Sequence, residues 1–203
     1  MSYFEKTVVF QFILTIFNRF FKKYLQSGLL LNISKIMKEN KFYTPMQIFV
    51  LVALRLLIGW HILYEGFSKL LIPNWSSLGF LKESKWILSG FSNWIISHPG
   101  LLNAVDFLNT WGLIAIGAGL ILGLFTRVAA ISGAILLFIY YLNNPPLIGL
   151  EYSLPTEGSY MIVSKTLIES MALVALAVFP SGAFAGLDML ISRFRNRYNN
   201  MEE

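Results

Sequence analysis

Six ionisable side chains stand inside stretches otherwise suited to lipid: Arg55, His61, Glu65 and Lys69 within Met46–Leu71, and Lys165 and Glu169 within Tyr160–Phe179. Imidazole, carboxylate and ammonium groups take up and release protons, and inside a membrane they either pair with one another or mark the path of a proton or substrate. His61, Glu65 and Lys69 are four residues apart, a spacing that stacks them up one side of a helix. Met46–Tyr64 spans roughly 28 Å at helical rise, close to the thickness of a hydrocarbon core, with Arg55 at its midpoint. A charge there costs from about 3 to more than 10 kcal/mol unless it has a partner or a wet cavity. Glu169, near mid-depth of the last apolar stretch, is expected to supply that partner as a buried ion pair. A purely structural Arg55 that ties helices together fits these residues equally well.

Positioning such groups requires a membrane-embedded helix bundle, and the composition agrees. Of 203 residues, 56% are hydrophobic and only 13% charged, with mean hydropathy +0.62, whereas soluble domains carry about a quarter charged residues. The absence of cysteine excludes disulfides, a thiol nucleophile, Cys-ligated zinc or iron–sulfur clusters and covalent haem. The only histidines are His61 and His98, and no metal site is predicted. Any redox chemistry must therefore borrow a cofactor or partner. The net charge of +5 is not a nucleic-acid patch, because eleven of the 16 Lys and Arg residues (Lys6, Arg19, Lys22, Lys23, Lys35, Lys38, Lys41, Arg127, Arg193, Arg195 and Arg197) fall on one predicted side of the membrane. Only Lys69, Lys82 and Lys85 fall on the other. This bias places both termini in the cytoplasm, in the cytoplasmic membrane of a bacterium or archaeon.

The chain divides into an interfacial segment (1–45), a four-helix membrane domain (46–192) and a basic tail (193–203). Val8–Phe17 is too short to span and lacks a following cleavage site, so the first segment reads as an interfacial amphipathic helix. Thr44-Pro45 supplies an N-cap and a first-turn proline. Spans are predicted at about 46–71, 107–126, 128–145 and 159–180, the second and third separated only by Thr126 and Arg127. Gly119 and Gly123 form a G-x-x-x-G step, and Ala115 to Gly119 repeats the small spacing, which favours close helix packing. Pro73–Asn109, with Trp75, Trp86 and Trp94, is expected to cap the bundle mouth outside the cell, with short helices at Leu78–Leu88 and Asn93–Ile96. Beyond the fourth span, Phe184, Leu187, Leu190, Ile191 and Phe194 recur at helical spacing and predict an amphipathic surface helix.

The stretches R-L-L-I-G-W-H-I-L-Y-E-G-F-S-K (Arg55–Lys69), P-N-W-S-S-L-G-F-L (Pro73–Leu81), W-G-L-I-A-I-G-A-G-L-I-L-G-L-F-T-R (Trp111–Arg127), Y-Y-L-N-N-P-P (Tyr140–Pro146) and E-G-S-Y-M-I-V-S-K-T-L-I-E (Glu157–Glu169) resemble the DoxX family. Within it they resemble the DoxD-like small subunit of thiosulfate:quinone oxidoreductase. The resemblance covers about Met46–Ser192. It implies a four-helix membrane protein, often the quinone-facing part of a redox complex, and in the DoxD-like case electron transfer from thiosulfate to quinone with formation of tetrathionate.

Two readings of function stand against each other. In the first, the chain is the membrane subunit of a quinone-linked oxidoreductase, with quinone as co-substrate. Glu65, His61 and Lys165 would handle the protons that accompany quinone reduction, and Arg55, Tyr64, Lys69, Trp111, Tyr160 and Glu169 would bind the quinone. His61, Glu65, Lys69 and Lys165 are then expected to line one polar pocket under the Trp75–Trp94 cap. In the second, the chain is a non-catalytic anchor that recruits a soluble or periplasmic enzyme through the Trp-rich loop. A small-solute carrier is disfavoured by the low span count and the lack of an inverted repeat. Lipid and a periplasmic or membrane redox subunit are the expected partners, and self-association is left open.

Overall fold

The computed structural model describes Thr15 and residues 43–147, 149–150, 152, 161–179, 182 and 186–189. Apart from Thr15 and residues 43–45, the predicted interfacial segment of residues 1–45 and the basic tail lie outside the described residues. The chain separates into two units, Met1–Ile48 and Phe49–Glu203.

The described residues form helices and no strand. Helix α1 runs Pro45–Leu71 and starts where the sequence predicts. Thr44 N–H donates to Gln47 Oε1 (2.8 Å) and Gln47 N–H to Thr44 Oγ1 (3.4 Å), a reciprocal capping box that the spacing T-P-M-Q encodes. The helix stops at Pro73 and at Asn74, whose φ is 55°. Two short helices follow, α2 (Leu78–Lys82) and α3 (Ser89–Ile96).

Helix α4 spans Pro99–Leu122 and begins about two turns before the predicted span, because Pro99 starts it in the first turn where proline is tolerated. It ends in a left-handed Gly123 (φ 65°), closed by Leu124 N–H donating to Gly119 O at 3.0 Å. Gly123 of the predicted Gly119–Gly123 packing step is thus the helix terminus, while Gly119 does pack closely, since a Cβ there would lie 3.2 Å from Ala129 Cβ. Ala115 is exposed, so it does not extend that step. Helix α5 covers Thr126–Asn143, and the turn between α4 and α5 is Gly123–Phe125, not Thr126-Arg127. Helix α6 runs Lys165–Val178, shorter than the predicted 159–180. Its start is fixed by Ser164, whose Oγ accepts from Leu167 N–H at 3.3 Å.

Among the described residues three helices, α1, α4 and α5, are long and apolar enough to cross a membrane. In the most apolar stretch of α1 and of α4 only 28% of residues are buried, and the outward faces carry exposed Leu57, Val128, Ile135 and Phe138. Apolar faces of that extent need lipid. The buried core joins Ile58 and Ile62 of α1, Leu113 and Leu120 of α4, Ala129, Ala130, Ala134 and Leu137 of α5, and Leu173 and Leu176 of α6.

Helices α1 and α4 run antiparallel at very close range. A Cβ added at Gly59 would lie 2.9 Å from Leu120 Cβ, one at Gly66 2.7 Å from Ile114 Cγ1, and one at Gly117 2.5 Å from Leu63 N. Small residues on both helices therefore set this contact, as the Gly59 and Gly66 stripe on α1 suggests. Helix α6 is held against α5 by the buried Ser170 hydroxyl, which donates to Ala134 O at 2.9 Å.

The loop region is pinned down by buried polar groups. Ser77 donates to Asp106 Oδ1 from both N–H (2.7 Å) and Oγ–H (2.5 Å). Ser92 Oγ–H donates to Asn143 Oδ1 (2.8 Å), and Asn143 Nδ2–H to Phe80 O (3.2 Å). Paired groups of this kind are costly to strand, so the cap is a fixed part of the bundle.

Candidate functional site

The structure places His61 and Lys165 of the predicted pocket in one cluster and Lys69 in another, with the Glu65 carboxylate bonded in neither. The first lies between α1 and α6. His61 Nε2 is 3.2 Å from Lys165 Nζ, and His61 Nδ1 is 3.0 Å from Glu169 Oε1. An ammonium can only donate, so Nε2 accepts from Lys165 and the ring proton sits on Nδ1, facing the carboxylate. The carboxylate approaches Nδ1 out of line for a hydrogen bond, and its hold on the ring is mainly electrostatic. The three groups form a net-neutral chain from ammonium through imidazole to carboxylate, which lowers the cost of placing them in a membrane.

Glu169 pairs with His61, and among the described residues no ion pair joins it to Arg55, contrary to the sequence expectation. The reason is register. Because α6 starts at Lys165, Glu169 is only its fifth residue, about 6 Å from the start, level with His61 and not with the middle of α1. Arg55 itself is fully buried, at 0% exposure.

Two features of this cluster run against local helix preference. A lysine opens α6, at the end where the helix dipole disfavours a cation. Lys165 also precedes Glu169 by four residues, the less favourable order for such a pair. Neither placement is explained by helix stability, and sites that break local rules are where function is expected. The cluster is also reachable: Lys165 is exposed, and the His61 side chain is 34% exposed.

The second cluster gathers Lys69 of α1, Asn109 of α4 and Tyr140 of α5. Lys69 Nζ–H donates to Asn109 Oδ1 (2.9 Å), as does Tyr140 O–H (2.7 Å). The same ammonium lies 5.0 Å from the Trp75 ring centroid and 5.4 Å from that of Tyr140, a cation–π arrangement on two aromatic faces. Asn109 and Tyr140 were not singled out by sequence, although N-T-W and Y-Y-L-N-N place polar groups at the ends of apolar runs. Glu65 is exposed, and among the described residues its carboxylate makes no hydrogen bond or ion pair. Tyr64 and Trp111 are also exposed, at 45% and 49%, and Trp111 packs against Phe107 with ring centroids 6.3 Å apart. Tyr160 lies outside the described residues.

Among the described residues, no three His, Asp or Glu side chains come together as a metal cluster. Residues 50–142 match the DoxX family model. The chain carries a DoxX domain. That match takes in α1 from Val50 onward, the cap, α4 and α5 as far as Leu142. His61, Lys69, Asn109 and Tyr140 lie inside the DoxX match, whereas Lys165 and Glu169 lie beyond it. No curated protein and no solved structure matches the chain.

Outside the spans, Tyr152 ties the following loop to itself and to the cap. Its O–H donates to Pro145 O at 2.8 Å, and Lys85 Nζ lies 5.6 Å from its ring centroid. Burial, and then the nearby Glu83 carboxylate, raise this phenol above its ordinary range, so it remains a donor at neutral pH.

Proposed function

We propose that this DoxX protein is the membrane subunit of a quinone-linked oxidoreductase in which Lys165, His61 and Glu169 hold and move protons. The chain of groups from Lys165 to Glu169 is the observation that carries this reading. Bound quinone would supply two-electron acceptance coupled to uptake of two protons. The residues fit such a guest: an ammonium has three donor hydrogens, and Lys165 directs one to His61, leaving donors for a carbonyl oxygen. Ile168 and Met171, exposed on the same helix, give an apolar tail a surface continuous with lipid. When Lys165 passes a proton to His61 Nε2, the Nδ1 proton can leave toward Glu169. This relay leaves a neutral amine, a neutral imidazole and a carboxylic acid, so it builds no net charge, and the reverse relay restores the ammonium at the exposed end.

The experiment is quinone-linked turnover by protein purified with its native partners, with thiosulfate as the first electron donor offered. Glu169→Gln and Lys165→Met should each lower the rate about 10²-fold or more, the scale of acid–base assistance, with quinone content and folding retained. Glu65→Gln should leave the rate near wild type, because Glu65 stands apart from the cluster. Unchanged turnover per folded molecule in both cluster variants would sink the assignment and favour the anchor reading.

The charge bias further supports cytoplasmic termini with the cap outside. The natural chain has no cysteine, so single thiols report cleanly. Lys85→Cys should react with an impermeant reagent in intact cells, and Arg127→Cys only after lysis. The opposite pattern inverts the orientation.

A further inference from the structure

Helix α3 buries Ser92 and Ile95 but turns its two aromatic side chains outward. Its sequence, S-G-F-S-N-W-I-I, has no charged residue. Ser92 is 1% exposed and bonded to Asn143, whereas Phe91 and Trp94 are 57% and 51% exposed. Their rings stack with centroids 5.7 Å apart. Ile87, just ahead of the helix, is 66% exposed. Large apolar side chains grouped on one uncharged face require a cover.

Chain continuity shows where that cover is. Only Ser97 and His98 separate the end of α3 from the start of the membrane-spanning α4, so α3 ends within about 10 Å of the α4 terminus. The 24 residues of α4 are about 36 Å long, against a hydrocarbon core of about 30 Å. The end of α4 next to α3 therefore stands in the headgroup layer, and so does α3. Tryptophan and phenylalanine are the side chains that favour this depth. An uncharged patch also offers no electrostatic complementarity to a protein partner.

We infer that α3 is an interfacial helix that inserts Phe91 and Trp94 into the headgroup–acyl boundary of the leaflet at the cap end. The buried bond from Ser92 to Asn143 transmits that hold to α5, and the two-residue link through Ser97 and His98 transmits it to α4, which fixes the depth of the bundle. This leaves the aromatic face of α3 occupied by lipid and not open to a soluble enzyme. The inference rests on the spans and is independent of the quinone reading.

The test uses Phe91→Cys and Trp94→Cys, each with a nitroxide on its single thiol, in nanodiscs of phosphatidylcholine and phosphatidylglycerol. Collisions with oxygen, which partitions into lipid, should exceed those with a water-soluble nickel chelate at both positions, and the excess should be smaller at Asn93→Cys on the flank. Greater access to nickel would overturn the inference. So would exclusion of both reagents, which would mean that protein covers the patch. Brominated lipid gives a second measurement in the chain with its native aromatics. Quenching by bromines near the glycerol should include a component that disappears in Trp94→Phe, and its absence would count against insertion.

Discussion

Gly117→Ala is expected to cost about 3 kcal/mol, at the upper end of the usual range for overpacking. The new methyl carbon would lie 2.5 Å from Leu63 N and 2.7 Å from both Leu63 Cα and Cβ. Side chains can turn away from a clash, but the backbone of a neighbouring helix cannot, so α1 and α4 must separate. Gly66→Ala should behave similarly, since its Cβ would meet Ile114 N at 2.9 Å. Gly112→Ala provides the control on the same helix: no atom lies within 4 Å of its Cβ, and replacing a helical glycine by alanine gains up to about 1 kcal/mol. The measurement is the thermal midpoint of each variant in one detergent. Equal midpoints for Gly117→Ala and Gly112→Ala would rule out the close α1–α4 crossing. Because His61 is two residues from Leu63, Gly117→Ala should also disturb the contacts of His61 with Lys165 and Glu169.

The sequence showed most clearly those features that depend on residue type and spacing along one helix. Thr44 and Pro45 mark the start of α1, and Gly59 and Gly66 mark its packing stripe. The polar groups of α1 were visible because charges are rare in lipid-facing runs. Pairings between helices were harder to read, because they depend on where each helix begins. Placing the start of the last helix near Ser159 put Glu169 at mid-depth beside Arg55. The Ser164 cap moves that start to Lys165 and gives Glu169 to His61 instead. Lys69 followed the same pattern, since its partner Asn109 falls at the predicted boundary between loop and span, whereas it lies well inside α4. Gly123 illustrates the converse: the G-x-x-x-G spacing suggested packing, and it serves both packing, with a Cβ at Gly119 3.2 Å from Ala129 Cβ, and a helix end, marked by the Leu124–Gly119 bond.

Asp188 had no sequence signal, yet it holds together the turn at the far end of the bundle from the cap. Its carboxylate accepts from Phe125 N–H (2.8 Å), Thr126 N–H (3.0 Å) and Thr126 Oγ–H (2.8 Å), and its own N–H donates to Gly123 O (2.9 Å). Three of these bonds cap the first turn of α5, which has no cap from its own N-cap residue Phe125. A cap is worth about 1 kcal/mol and a bond to a charged group about 1.5–3, so Asp188→Ala should cost roughly 3 kcal/mol. Asp188→Asn keeps one accepting oxygen but turns an amide N–H toward Thr126 N–H or Phe125 N–H, and should recover only part of the loss. The same carboxylate fastens the chain beyond α6 to the α4–α5 turn, while Tyr141 O–H, donating to Ile162 O at 2.8 Å, fastens the chain before it. Loss of Asp188 should therefore loosen α6 from one end, lowering the thermal midpoint and exposing the 123–126 turn to protease. If Asp188→Ala matches wild type in both measurements, the clamp does not contribute, and the position of Lys165 and Glu169 must rest on the Tyr141–Ile162 bond and the packing of α6 in the core.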